Sequence, residues 1–320
     1  MTRARHRVLL LFADGVGLAG AAGDNPFACC RTPQLERLLG GPLTRERCQR
    51  RQGLLLTELD ACLGVEGLPQ SATGQTTLFT GVNAQAVVGR HMPALPGPRL
   101  RALLAEHSLM KRLREAERQV TFANAFTTDY LERLRAGEAR ASVTTWAVLA
   151  SEAPLRLLGE LARGEAVTWD VTGEDFPRPA AARGGRGRWV EAEAGVGPPA
   201  RVTPVSPAEA GRRLAALAAA HHLTLYETFL PDLAGHHRWG ITAEIALGRL
   251  DGLLGGALGH RSPDVTVVLT SDHGNVEEAG HRRHTRNPVP LLAVGPLAGE
   301  LAGITRLDEV TPRLSELLLL

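Results

Sequence analysis

Seven side chains of metal-ligating or nucleophilic type fall in four short segments: Asp14, Ser71, Asp232 with His236, and Asp272 with His273 followed by His284. Each segment stands where a strand is expected to end or a helix to begin. Carboxylate and imidazole together suit a divalent transition ion, and a serine held beside such an ion can act as a nucleophile. The set reads as a two-metal phosphoryl-transfer site.

Asp14 follows the apolar run Val8–Ala13 and precedes Gly15-Val16-Gly17, so its carboxylate is expected in the crevice beyond a strand's carboxyl end. Asp272 and His273 follow Val265–Thr270 in the same way. Neighbours on a regular strand face opposite sides, so both reach one site only if the strand has ended, as Gly274-Asn275 implies. Asp232 and His236 are one helical turn apart, which places both on one face. Six of the eleven histidines lie from His236 to His284 inclusive, and this density singles the pair out from ordinary surface contacts. Ser71 follows Pro69 and opens a helical stretch, at or near the N-cap, where free amides favour an anionic phosphate. Plainer roles exist for each: an Asp-Gly turn, a surface pair, a simple helix cap.

The elements that must position these residues alternate. Val8–Ala13, Gln119–Ala125, Leu223–Phe229, Val265–Thr270 and Val289–Val294 read as buried strands. Between several of them Ser108–Glu117, Pro207–His221 and Thr242–Leu258 carry apolar residues at three- and four-residue spacing. An α/β fold follows, a mostly parallel sheet sandwiched by helices. From residue 127 to 204 the pattern is poorer, with Arg183–Arg188 and Gly195–Pro204 loop-like, and reads as an inserted cap or lid. The expected core is then residues 1–126 and 205–320.

At 320 residues with 44% hydrophobic content, the chain can fill one large core. Its net charge of +2 leaves no footprint for nucleic acid or an anionic membrane surface. Lys111 is the sole lysine, so any cationic phosphate clamp is arginine. The apolar run before Asp14 is too short for a secretion signal, no run approaches a membrane span, and the four cysteines lack zinc-ribbon spacing. A cytoplasmic protein with reduced thiols is expected.

Asp14-Gly-Val-Gly17, Ser71-Ala-Thr-Gly-Gln75, Asp232-Leu-Ala-Gly-His236, Asp272-His-Gly-Asn-Val-Glu277 and His284-Thr-Arg-Asn-Pro-Val-Pro290 occur in this order. Together they resemble the signature of the alkaline phosphatase superfamily, in its branch containing cofactor-independent phosphoglycerate mutase and phosphopentomutase. The resemblance covers about residues 1–125 and 205–320. It implies one metal on Asp232, His236 and His284 and a second on Asp14, Asp272 and His273, with Ser71 at the bridge. His284 rather than His281 begins the matching string. Two departures bear on substrate: the middle region is short and lysine-free, and the pentomutase string after the nucleophile is replaced by Gly74-Gln75-Thr76-Thr77.

The expected function is two-metal hydrolysis of a small phosphate ester through a phosphoserine on Ser71, manganese being favoured over zinc or magnesium. A small phosphorylated metabolite is the expected partner. Arg90 and His91, after Gly89, are the candidate substrate contacts. The alternatives are a phosphomutase, a metallohydrolase that activates water directly, and a non-catalytic metal-stabilised binding protein.

Overall fold

The computed structural model describes residues 6–21, 23–176 and 202–320. Arg183–Arg188 and residues 195–201, read above as loop-like, lie outside the described residues. Nine strands are present among the described residues: β1 (Arg7–Ala13), β2 (Gln49–Arg51), β3 (Leu54–Leu59), β4 (Val120–Phe122), β5 (Ala125–Phe126), β6 (Arg156–Leu157), β7 (Leu223–Thr228), β8 (Val265–Thr270) and β9 (Val289–Val294). Seven form one sheet in the order β2-β3-β9-β8-β1-β7-β4, and β5 pairs with β6 apart from it.

The expected parallel set is present in β8, β1, β7 and β4. β1 and β8 are apolar or β-branched almost throughout and buried along their length, as strands covered on both faces require. β9 runs antiparallel to β8, since only a loop and no crossover helix joins them. β3 and β2 extend the sheet, each antiparallel to its neighbour.

Alternation along β1 divides the core. Val8, Leu10 and Phe12 face a cluster that includes Leu78 and Phe79 of the Ser71–Thr80 helix and Leu314 of the Val310–Leu319 helix. Leu9, Leu11 and Ala13 face Leu214 of the Pro207–Ala220 helix and Leu250 of the Ala243–His260 helix. Residues 127–176 join both clusters, through Tyr130 and Val143 on one side and Val167 and Trp169 on the other.

The register matters most for the site. Phe12 lies beside Thr270 and Ala13 beside Thr228, so the carboxyl ends of β8, β1 and β7 are level and adjacent. Behind them the Pro207–Ala220 and Ala243–His260 helices touch backbone to backbone. A Cβ at Gly256 would stand 2.0 Å from the Ala208 carbonyl oxygen. Alanine is the better helix former by about 1 kcal/mol, but overpacking costs about 1–3 kcal/mol and wins here. Gly256→Ala is expected to lower unfolding stability by about 1–3 kcal/mol in a denaturant titration. Gly248→Ala, on the same helix with open space around it, is expected to raise it by about 0.5–1 kcal/mol.

Candidate two-metal site

The level strand ends deliver the acidic residues. Asp14 is the first residue after β1, and its amide donates to the Thr228 carbonyl oxygen at 3.0 Å. Asp272 and His273 follow β8 after Ser271, whose hydroxyl accepts from the Val16 amide at 2.9 Å and so ties the two turns together. Beyond β7, Pro231 starts the short helix Leu230–Gly235, which carries Asp232 and ends at His236. His284 comes from the loop before β9, and Ser71 is the first residue of the Ser71–Thr80 helix. The structure thus brings all seven candidate residues together.

Hydrogen bonding fixes the tautomers of two imidazoles. His236 Nδ1 lies 2.8 Å from the Arg282 carbonyl oxygen, and His284 Nδ1 lies 2.8 Å from that of Pro69. A carbonyl only accepts, so Nδ1 carries a proton in both rings and Nε2 is the atom each turns to Asp232, donating there when it holds a proton and offering a lone pair to a cation when it does not. Those two Nε2 atoms stand 3.1 Å apart, with Asp232 Oδ1 at 3.2 and 3.6 Å from them. Three acceptors converging on one point fit a cation.

A second convergence adjoins it. His273 Nε2 is 3.0 Å from Ser71 Oγ, 3.2 Å from Asp14 Oδ1 and 3.5 Å from Asp272 Oδ2. Asp14 Oδ1 and Asp272 Oδ2 are buried and receive no hydrogen bond among the described residues. Orphaned carboxylate oxygens of this kind are rare in a folded interior, and a bound ion would account for them. Donor atoms of Asp14, Asp232 and His273 also lie within 4.8 Å of one another. Asp232 therefore reaches both sets, a wider role than the resemblance gives it.

Charge follows the same division. Burial, then Asp272 and Asp232, pushes the Asp14 carboxyl well above the ordinary carboxylate range, and burial also raises Asp272. Against the same burial, hydrogen bonds from His236 and His284 hold Asp232 well below that range. Without added positive charge, burial and mutual repulsion favour the protonated forms of Asp14 and Asp272 but not of Asp232.

Sequence reasoning quoted Glu277 within a motif but gave it no role. Its buried carboxylate accepts from the amides of Gly17 at 2.9 Å and Asn275 at 2.8 Å, from Asn287 Nδ2 at 3.0 Å, and from Thr285 Oγ1. One side chain thus fixes the loops that carry Asp14, His273 and His284. A Cβ at Gly17 or Gly274 would fall within 2.2 Å of that carboxylate, which accounts for both glycines. Spacing gave no signal, because Glu277 binds backbone rather than ligand. Asn275, whose Nδ2 donates to Asp232 Oδ1 at 2.9 Å, was passed over for the same reason.

A cavity of about 450 Å³ opens over Ser71, Asp14, Asp232, His236 and His284. Arg90 and His91 do not line it, which corrects the expectation that they grip substrate. Gly89 ends the Ala84–Val88 helix in a left-handed turn, Arg90 is exposed, and the His91 ring is held at 3.1 Å by the Val65 carbonyl oxygen. The arginines on the cavity wall are instead Arg140, Arg238, Arg282 and Arg283. His281 turns away to Glu278 at 3.0 Å, and His237 accepts from Arg282 on the outer face.

Residues 206–319 match the model of the metalloenzyme superfamily. A 96-residue stretch is 38% identical to the 2,3-bisphosphoglycerate-independent phosphoglycerate mutase of Cereibacter sphaeroides, covering 28% of this chain and 19% of that protein. The corresponding enzyme of Dinoroseobacter shibae is 33% identical over 113 residues, covering 33% and 22%. The matched stretch spans about a fifth of the length of these relatives. Among solved structures, the alkaline phosphatase of the Antarctic bacterium TAB5 superposes with a TM-score of 0.52 at 13% identity, covering 99% of both chains. A cold-active alkaline phosphatase from Shewanella sp. gives 0.55 at 13%, covering 98% of this chain and 99% of that one. This chain has their fold.

A raised native pKa means that the folded state holds protons the unfolded state has released, so stability falls as pH rises above the unfolded value of about 3.9. Asp232 acts oppositely, but its contribution is complete above that value and is lost only as pH falls. Metal-free protein is expected to melt lower at about pH 8 than at about pH 5. Asp14→Asn should raise its melting temperature at the higher pH by at least about 2 °C and weaken the stabilisation by added Mn²⁺. Thermal unfolding of chelator-treated protein checks both.

Proposed function

We propose that the chain is a metalloenzyme of the alkaline phosphatase superfamily that cleaves small phosphate esters by way of a phosphoserine on Ser71. The observation that carries this reading is the position of Ser71 Oγ. It lies 3.0 Å from His273 Nε2, beside the unsatisfied Asp14 Oδ1 and Asp272 Oδ2 and the Asp232, His236 and His284 cluster, at the floor of an open cavity. A water-activating site has no need of a serine there.

Two divalent ions held by the two donor sets would lower the hydroxyl pKa and neutralise the phosphate oxygens. Manganese is favoured over zinc or magnesium because four of the seven donors are oxygen, while imidazole suits all the transition ions. Ser71 stands at the first position of its helix, so the positive end of the helix dipole faces an incoming phosphate. With His273 Nε2 taken up by an ion, Ser71 Oγ would release its proton to solvent water and attack phosphorus. The bond from phosphorus to the ester oxygen breaks, and that oxygen leaves with the electron pair and takes up a proton. A water oxygen then attacks the phosphoserine, the bond from phosphorus to Oγ breaks, and inorganic phosphate and Ser71 are restored.

The similarity to enzymes named phosphoglycerate mutases favours a second reading, in which a substrate hydroxyl replaces that water. Against it stands the short middle region, which offers little to hold an intermediate while it turns. Turnover in isotopically labelled water is expected to place label in inorganic phosphate. An isomer formed with no phosphate released would establish transfer instead. Ser71→Ala is expected to lower turnover by at least about 100-fold while the protein retains most of its metal, checked by initial rates and elemental analysis of the same sample. Near-normal turnover by that variant would remove the covalent step.

A further inference from the structure

We propose that the ester taken by this site carries a planar aromatic leaving group, as an aryl or nucleoside phosphate does. The inference rests on the phosphoryl-transfer reading of the metal floor and concerns the cavity above it. The chain has thirteen aromatic residues, and six of them line this cavity, which is built from 28 residues, less than a tenth of the chain.

They form two walls. Phe122, Phe126 and Tyr130 are joined by ring contacts of 5.9 and 5.6 Å, the second of them stacked. Phe229, Trp169 and Trp239 are joined by contacts of 6.2 and 5.9 Å. Phe229 and Trp239 are half-buried, and both line the cavity. Trp239 holds a φ of +55°, a left-handed conformation that a bulky side chain avoids unless its surroundings impose it. Such outliers gather at ligand clamps. It stands three residues from His236, so the wall continues directly from the metal ligands.

Charge fits an anionic ester. Arg140, Arg238 and Arg283 on the cavity wall are exposed and have no ion pair among the described residues, so they are available to draw in a dianionic phosphate. With the phosphate on the floor, the group attached through the ester oxygen points into the aromatic part. A three-carbon acid offers no flat face to this wall, whereas a planar ring can stack against the half-buried Phe229 and Trp239. The chemistry is unchanged: the bond from phosphorus to the ester oxygen breaks, and the phenol or nucleoside hydroxyl leaves with a proton.

The test compares phenyl phosphate and adenosine 5′-monophosphate with glycerol 2-phosphate and 3-phosphoglycerate on the Mg²⁺-loaded protein. Affinity is the quantity compared, since a phenol is also the better leaving group and would raise kcat without any ring contact. KM from turnover and Kd from quenching of tryptophan fluorescence are both read. The aromatic esters are expected to bind at least about tenfold more tightly. Trp239→Ala should collapse that ratio, and Trp239→Phe should restore most of it. A preference for the nucleotide over phenyl phosphate assigns a nucleoside, and the reverse assigns a simple aryl group. Quenching by aromatic phosphates with no turnover of any ester would uphold the ligand class while removing the phosphoryl-transfer reading. Equal affinities for all four compounds, unmoved by Trp239→Ala, would overturn the inference.

Discussion

Three carboxylates, Asp14, Asp232 and Asp272, are buried beside one another at the ends of adjacent strands, and their mutual repulsion is the constraint on which the rest of the site depends. Burial disfavours each charge and proximity disfavours having all three. Imidazoles relieve only part of this: His236 and His284 support Asp232, while Asp14 Oδ1 and Asp272 Oδ2 remain without donors among the described residues. A fold that keeps such a group does so for a partner of high positive charge.

Holding the group together takes more than the ligands. Level register of β8, β1 and β7 brings two turns and a short helix to one place, and the Glu277 carboxylate binds those turns to the His284 loop. The cost of replacing such an acceptor falls on several donors at once, each left buried and unpaired. Pro69 serves similarly from the other side, its carbonyl oxygen orienting His284 just before the chain enters the Ser71 helix. Ser71 and His284 are thus positioned through one contact.

Much of this was legible in the chain. Strands buried on both faces announce themselves as unbroken apolar runs, and Val265–Thr270 and Val289–Val294 were placed to the residue. That the candidate residues just past such runs come together was legible because strand ends in an α/β sheet converge on a crevice. What escaped has physical reasons. The antiparallel side of the sheet is set by pairing between distant segments, and β2 is too short and exposed to carry a pattern. Arg90 and His91 drew attention by residue type, but direction after a left-handed helix cap is a tertiary matter. Glu277 and the aromatic walls were hidden because their partners lie far away in sequence.

The account turns on whether positive charge fills the two convergences of acceptors. Elemental analysis of protein purified without chelator, repeated after dialysis against Mn²⁺, Zn²⁺ and Mg²⁺ separately, tests this most directly. Two divalent ions per chain, falling to about one in a variant that loses both His236 and His284, is the predicted result. A metal content near zero that no added ion restores would contradict it.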